Sequence, residues 1–235
     1  MEELLRRFSE DPQRAAVLLD VDGVLAPIVL RPEDAHVPPE TRDEVERLTA
    51  KYSLVACVSG RTSADAERIV GVPEVVYVGS HGLELAPEAE RWRSRLHEFG
   101  QGVDWPVEDK GLTVSFHYRG VDDEAAARQK LERVADAARS EGLLARFGRK
   151  VLELRPPIEA DKGTAVQALL IDRGLRRALY AGDDTTDLDG FRGLEGLEIA
   201  VRVAVSSPEG PPELREAADL VVDGPTGVVE LLRAL

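Results

Sequence analysis

The chain contains no asparagine, and only one cysteine and one methionine among its 235 residues. The lone thiol, Cys57, excludes an internal disulfide and any zinc site built on several cysteines. It lies in the apolar run Leu54-Val55-Ala56-Cys57-Val58, where a buried strand residue is expected rather than a reactive thiol. No apolar run reaches the length of a membrane-spanning helix, and the run ending at Leu19 is cut by Asp20 and Asp22. Positive charge is also short: 30 basic residues face 44 acidic ones, a formal net charge of −14. That balance argues against nucleic acid and membrane as partners, and any phosphate site must bring its own local cations. The stretch Met1 to Arg14 is too charged for a secretory segment, so a cytoplasmic protein is expected. Scarcity of asparagine fits a hot habitat, but the bias of arginine over lysine fits a GC-rich genome equally.

What the chain does have is alternation of strands and helices. Ala15–Leu19, Ser53–Val58 and Val75–Val78 read as apolar strands, with helices from Pro38-Pro39-Glu40 to about Ala50 and over Ser63–Val70. This order predicts βαβ units and a parallel sheet with right-handed crossovers. Near residue 85 the pattern changes. Leu112 to Arg119 alternates apolar and polar as a half-exposed antiparallel strand should, Asp122 to Ser140 is an amphipathic helix, and Val151–Arg155 is another such strand. Parallel patterning returns with a helix over Lys162–Arg173 and strands at Arg177–Ala181, Ile199–Val205 and Leu220–Val222. The expected architecture is an α/β parallel-sheet core, residues 1–84 and 159–235, carrying an inserted α+β cap at 85–158.

Polar groups recur where the core strands end. Asp20-Val21-Asp22-Gly23, Ser59-Gly60-Arg61 and Gly182-Asp183-Asp184-Thr185-Thr186-Asp187 each follow an apolar run, and Asp161-Lys162-Gly163 opens a helix. A parallel sheet brings such ends to one edge, where open α/β folds hold ligands. Each piece alone has a plain structural use as a turn or helix cap. Together, in this order, they read as a phosphoryl-transfer site. Asp20 would attack phosphorus, and Asp22 would protonate the leaving oxygen and then activate water. Mg2+ would be held among Asp20, Asp183 and a carbonyl near Asp22, with Asp184 and Asp187 orienting its water. Ser59 and Lys162 would bind the phosphoryl oxygens; without a metal and Lys162 the carboxylates would repel a phosphate.

This constellation resembles the haloacid dehalogenase-like phosphatase superfamily, whose four motifs match Asp20/Asp22, Ser59, Lys162 and Asp183–Asp187 in order. Within it the chain is similar to the trehalose-6-phosphate phosphatase family. The likeness is carried by Leu19 to Ile28, Val58 to Arg61, Gly79 to Glu84, Val107 to Lys110, His117 to Arg119 and Gly182 to Asp187. Val24 and Ser80 depart from it, standing where threonine and asparagine are usual. The resemblance implies a Rossmannoid core with a C2B-type cap, and Mg2+-dependent hydrolysis of trehalose 6-phosphate through a phosphoaspartate. It implies metal roles for Asp20, Asp22, Asp183, Asp184 and Asp187. Sugar contact is implied for Gly60, Arg61, His81, Gly82 and Glu84, and in the cap for Lys110, Ser115, His117, Arg119 and Glu153. Water-facing strand surface is the plain alternative for the cap residues. Another sugar phosphate (sucrose, glucosylglycerol or mannosylglycerate phosphate), a silent sugar-phosphate-binding regulator, and functional coupling to a trehalose-6-phosphate synthase all stay open.

Overall fold

The computed structural model describes every residue except Met1, Leu30, Arg149 and Glu209, and the backbone alone of Glu2. In chain order the elements are α1 (Glu2–Phe8), β1 (Ala15–Leu19), α2 (Pro39–Lys51), β2 (Leu54–Val58), α3 (Ser63–Val70), β3 (Val76–Val78) and α4 (Arg93–Gln101). There follow β4 (Glu108–Asp109), β5 (Val114–His117), α5 (Glu124–Ser140), β6 (Leu144–Gly148), β7 (Val151–Arg155) and α6 (Lys162–Asp172). The last elements are β8 (Arg177–Gly182), α7 (Asp187–Arg192), β9 (Ile199–Ser206), α8 (Pro212–Ala217), β10 (Leu220–Asp223) and α9 (Gly224–Ala234). They form two compact units, Met1–Gly82 with Ala160–Leu235, and Leu83–Glu159.

The first unit is a six-stranded parallel sheet in the order β10-β9-β8-β1-β2-β3. Its central strands are apolar at every position because both faces are covered: all five residues of β1 and of β2 are buried. Ala15, Val17 and Leu19 pack with Val45, Leu48, Ile69 and Leu232 from α2, α3 and α9. Ala16 and Leu18 pack on the other face with Val166, Leu170 and Phe191 from α6 and α7. The chain moves outward from β1 through β2 to β3, then returns to the opposite flank of β1 as β8. The β1–β8 boundary is therefore a topological switch point, the place where such sheets open a crevice at their carboxyl ends. Beyond β1 the chain closes a tight turn in which Gly23 N donates to Ala26 O at 2.8 Å. Gly23 has φ +78°, and a Cβ there would lie 2.3 Å from Asp183 Oδ2. Only glycine satisfies both conditions.

The second unit is a four-stranded antiparallel sheet in the order β4-β5-β7-β6. Val114, Phe116, Leu152 and Leu154 pack against Leu131, Ala135 and Ala138 of α5 and Leu96 of α4. Two expectations for this segment need correction. The strand expected over Leu112 to Arg119 is only Val114–His117, and Thr113 and Ser115 on its polar side are buried rather than facing water. The helix α4 and the strand β6 were not expected. In β6 the burial alternates, with Ala145 and Phe147 half-buried against the core and Leu144, Arg146 and Gly148 exposed, but the exposed Leu144 beside Ala145 blurs that alternation in the sequence.

Candidate active site

Parallel register sets the geometry at the carboxyl edge. Leu19 pairs with Ala181 of β8 and Cys57 of β2, so Asp20, Gly182 and Val58 are level and Asp183 and Ser59 come next. Asp20 N extends the ladder, donating to Ala181 O at 3.0 Å. Lys162 begins α6, whose start is fixed by the capping box between Asp161 and Thr164.

The buried Lys162 ammonium donates to Asp20 Oδ2 and to Asp187 Oδ1, both at 2.7 Å. The other Asp20 oxygen accepts from Val21 N at 2.7 Å. Burial raises the Asp20 carboxyl to about 7; Lys162 opposes the rise, and the charges of Asp187 and Asp22 add to it. Asp187 and Asp20 together hold the Lys162 ammonium firmly charged, outweighing the effect of burial.

Asp187 is fully buried and accepts four hydrogen bonds. Lys162 and the Tyr180 hydroxyl, at 2.8 Å, reach Oδ1; the backbone amides of Asp183 and Asp184, each at 2.9 Å, reach Oδ2. A carboxylate has about four acceptor sites, so these donors fill it. Oxygens of Asp20, Asp183 and Asp187 lie within 4.8 Å of one another. Three buried carboxylates, two of them bonded to one ammonium, leave net negative charge that a hard cation would satisfy. With Asp187 saturated, Asp20 and Asp183 are the residues that fit as its ligands.

Asp22 and Asp184 lie outside this trio. Asp22 turns to Arg61, which donates from Nε to Oδ2 at 2.6 Å and from Nη2 to Oδ1 at 2.8 Å. Arg61 is braced in turn by Asp65 Oδ2 at 2.5 Å and Pro32 O at 3.3 Å. Asp184 Oδ1 accepts from Thr185 N at 2.6 Å. Ser59 is buried, and its hydroxyl accepts from Arg61 N at 3.3 Å. His81 N donates to Ser59 O at 2.9 Å, and the His81 ring lies over Gly60, where a Cβ would be 2.6 Å from Nε2. Ser80, His81 and Gly82 all have positive φ, so this bend stores backbone strain beside the site.

In the second unit, Glu108, Ser115, Glu153 and Arg146 form one row across the sheet, opposite the face packed on α5. Glu108 Oε2 accepts from His117 Nε2 at 2.7 Å and lies 3.5 Å from Lys110 Nζ. Lys110, Ser115, His117 and Glu153 thus share that polar face. Arg119 follows β5 and is exposed, and Glu84 is half-buried. Two residues outside every quoted motif, Tyr180 and Asp65, prove central to these networks, as does Glu108, which lies in the quoted segment Val107 to Lys110 but was given no role. Glu108 had a readable signal beyond that segment, its position two residues before Lys110 on the same side of the chain.

The sequence profile of the trehalose-phosphatases matches residues 18–106 and 101–225. The chain belongs to the trehalose-phosphatase family. It is 36% identical over 220 residues to the trehalose-phosphate phosphatase of Mycobacterium avium, covering 80% of this chain. The chain spans about half the length of the curated relatives it matches, 54% in that case. The C-terminal domain of C. albicans trehalose-6-phosphate phosphatase has a similar structure, with TM-score 0.78, 22% identity, and coverage of 98% of this chain and 94% of that one. A haloacid dehalogenase-like hydrolase from Bacteroides thetaiotaomicron superposes with TM-score 0.64 at 16% identity, over 93% of this chain and 98% of the other. The fold is therefore the haloacid dehalogenase-like one. Among the described residues no helix is long and apolar enough to cross a membrane.

Proposed function

We propose that this trehalose-phosphatase family member hydrolyses trehalose 6-phosphate to trehalose and inorganic phosphate in the cytoplasm, using Mg2+. The observation that carries the chemistry is the bond from Lys162 to Asp20 beside Asp183 at the switch point. Asp20 attacks phosphorus, forming the phosphoaspartate as the bond to the sugar oxygen breaks. Asp22 gives that oxygen its proton. Asp22 then takes a proton from water, whose oxygen attacks phosphorus and releases the Asp20 carboxylate with inorganic phosphate. Lys162 and Ser59 bind the phosphoryl oxygens and stabilise their charge. Asp20 and Asp183 would hold Mg2+, which supplies further neutralisation of the phosphoryl group.

Sugar selection falls, in this reading, to the polar face of the second unit. Lys110, His117 and Glu153, with Ser115 and Arg119, offer charged and hydroxyl partners to a disaccharide. His81, Gly82 and Glu84 are proposed as further sugar contacts. The substrate would be supplied by a synthase that makes trehalose 6-phosphate, and a pull-down against that enzyme tests the coupling.

Phosphate release from a panel of sugar phosphates, with and without Mg2+, tests the proposal. Trehalose 6-phosphate should dominate, and chelation should abolish turnover. Faster release from sucrose, glucosylglycerol or mannosylglycerate phosphate would replace the substrate. Binding without any release would make the chain a silent regulator.

A further inference from the structure

Tyr180 is the largest fully buried side chain of the molecule among the described residues, and it lies in β8 directly beneath the site. Its ring is clamped. Phe191 meets it edge-on, with centroids 6.1 Å apart and planes at 87°. On another side runs Gly190, where a Cβ would come within 2.5 Å of the ring Cζ. The hydroxyl therefore has a fixed position, and it points at Asp187 Oδ1. That same oxygen receives Lys162, while the other oxygen of Asp187 anchors the amides of Asp183 and Asp184.

We propose that the Tyr180 hydroxyl is a positioning residue for the metal and nucleophile. By holding Asp187 in one rotamer, it fixes both the Lys162 ammonium against Asp20 and the loop that presents Asp183. The inference rests on the metal-dependent reading of the site, not on the identity of the sugar. The packed ring prevents the hydroxyl from following Asp187, so the bond exists only in one arrangement of the carboxylate. Loss of the hydroxyl leaves the Asp187 carboxylate a donor short, and it can rotate to recover one. Both networks that it joins then loosen together. A residue that merely satisfied its own buried hydroxyl would have no such effect on the loop.

The test is calorimetric titration of Mg2+ into metal-free wild type, Tyr180→Phe, Asp187→Asn and the double variant. Phenylalanine keeps the ring packing, so the fold is retained. Tyr180→Phe should weaken Mg2+ binding about tenfold, as losing a partner of a metal-ligand shell does. It should lower kcat while KM stays within about twofold. In the Asp187→Asn background the same substitution should change Mg2+ affinity no further, because its route is already cut. Wild-type Mg2+ affinity in Tyr180→Phe, with only a lower Tm, would overturn the proposal. So would an undiminished effect in the Asp187→Asn background. A wild type that binds no Mg2+ would overturn the metal-dependent reading beneath it, a separate and distinguishable result.

Discussion

Asp22 and Arg61 meet in a two-pronged ion pair, with the guanidinium Nε and Nη2 at 2.6 and 2.8 Å from the two carboxylate oxygens. Asp65 and Pro32 brace the arginine from behind, so most of its donors are already committed. Its geometry suits holding Asp22, the proposed acid–base residue. Lysine cannot reproduce a fork. Arg61→Lys should lower kcat for the sugar phosphate about tenfold or more, the range of a general-acid contribution. It should cost less with p-nitrophenyl phosphate, whose leaving group needs no proton. Steady-state rates on both substrates decide it; equal losses would detach Arg61 from the acid.

Replacing Asp20, the proposed nucleophile, separates chemistry from folding. Asp20→Asn should abolish phosphate release while circular dichroism stays that of the wild type.

The same variant reports on pH. The folded Asp20 carboxyl sits at about 7 because of burial, above the unfolded value of about 3.9. A carboxyl that binds its proton more tightly when folded contributes stability at low pH and loses it as pH rises. Metal-free wild type should therefore lose thermal stability between about pH 4 and 7, and Asp20→Asn should flatten that slope. Parallel slopes in the two proteins would refute this.

Gly23→Ala places a methyl against the Asp183 carboxylate in a backbone region that disfavours side chains. About 1–3 kcal/mol of stability should be lost, read from urea midpoints. Mg2+ affinity should fall with it, because Asp183 must move.

Glu108 ties His117 and Lys110 together through one oxygen. Glu108→Gln should raise KM for the sugar phosphate several-fold and leave p-nitrophenyl phosphate turnover near wild type. Equal loss on both substrates would make Glu108 a structural residue only.

The parallel core was legible because its signals are local: apolar runs buried on both faces, each closed by a carboxylate, serine or glycine. The order of Asp20, Ser59, Lys162 and Asp183 along the chain likewise follows from strand ends and, for Lys162, a helix start. What was not legible depends on tertiary neighbours. Tyr180 reads as one more apolar strand residue until α7 folds back to bring Asp187 to it. Asp22 carries the same letter as Asp20, yet Arg61 draws it away from the carboxylate trio. Thr113 and Ser115 alternate like water-facing residues but are covered. In β6 the inward pair Ala145 and Phe147 is masked in the sequence by Leu144, an apolar residue that the edge position leaves exposed.

The bond between Lys162 and Asp20 spans 142 positions of the chain. Contacts so distant in sequence form late, since a long loop must close before they reward it. During synthesis Asp20 leaves the ribosome well before its ammonium partner. For that interval the growing polypeptide holds an aspartate of ordinary acidity, and the buried cluster is complete only when α6 and β8 have docked against β1 and β2.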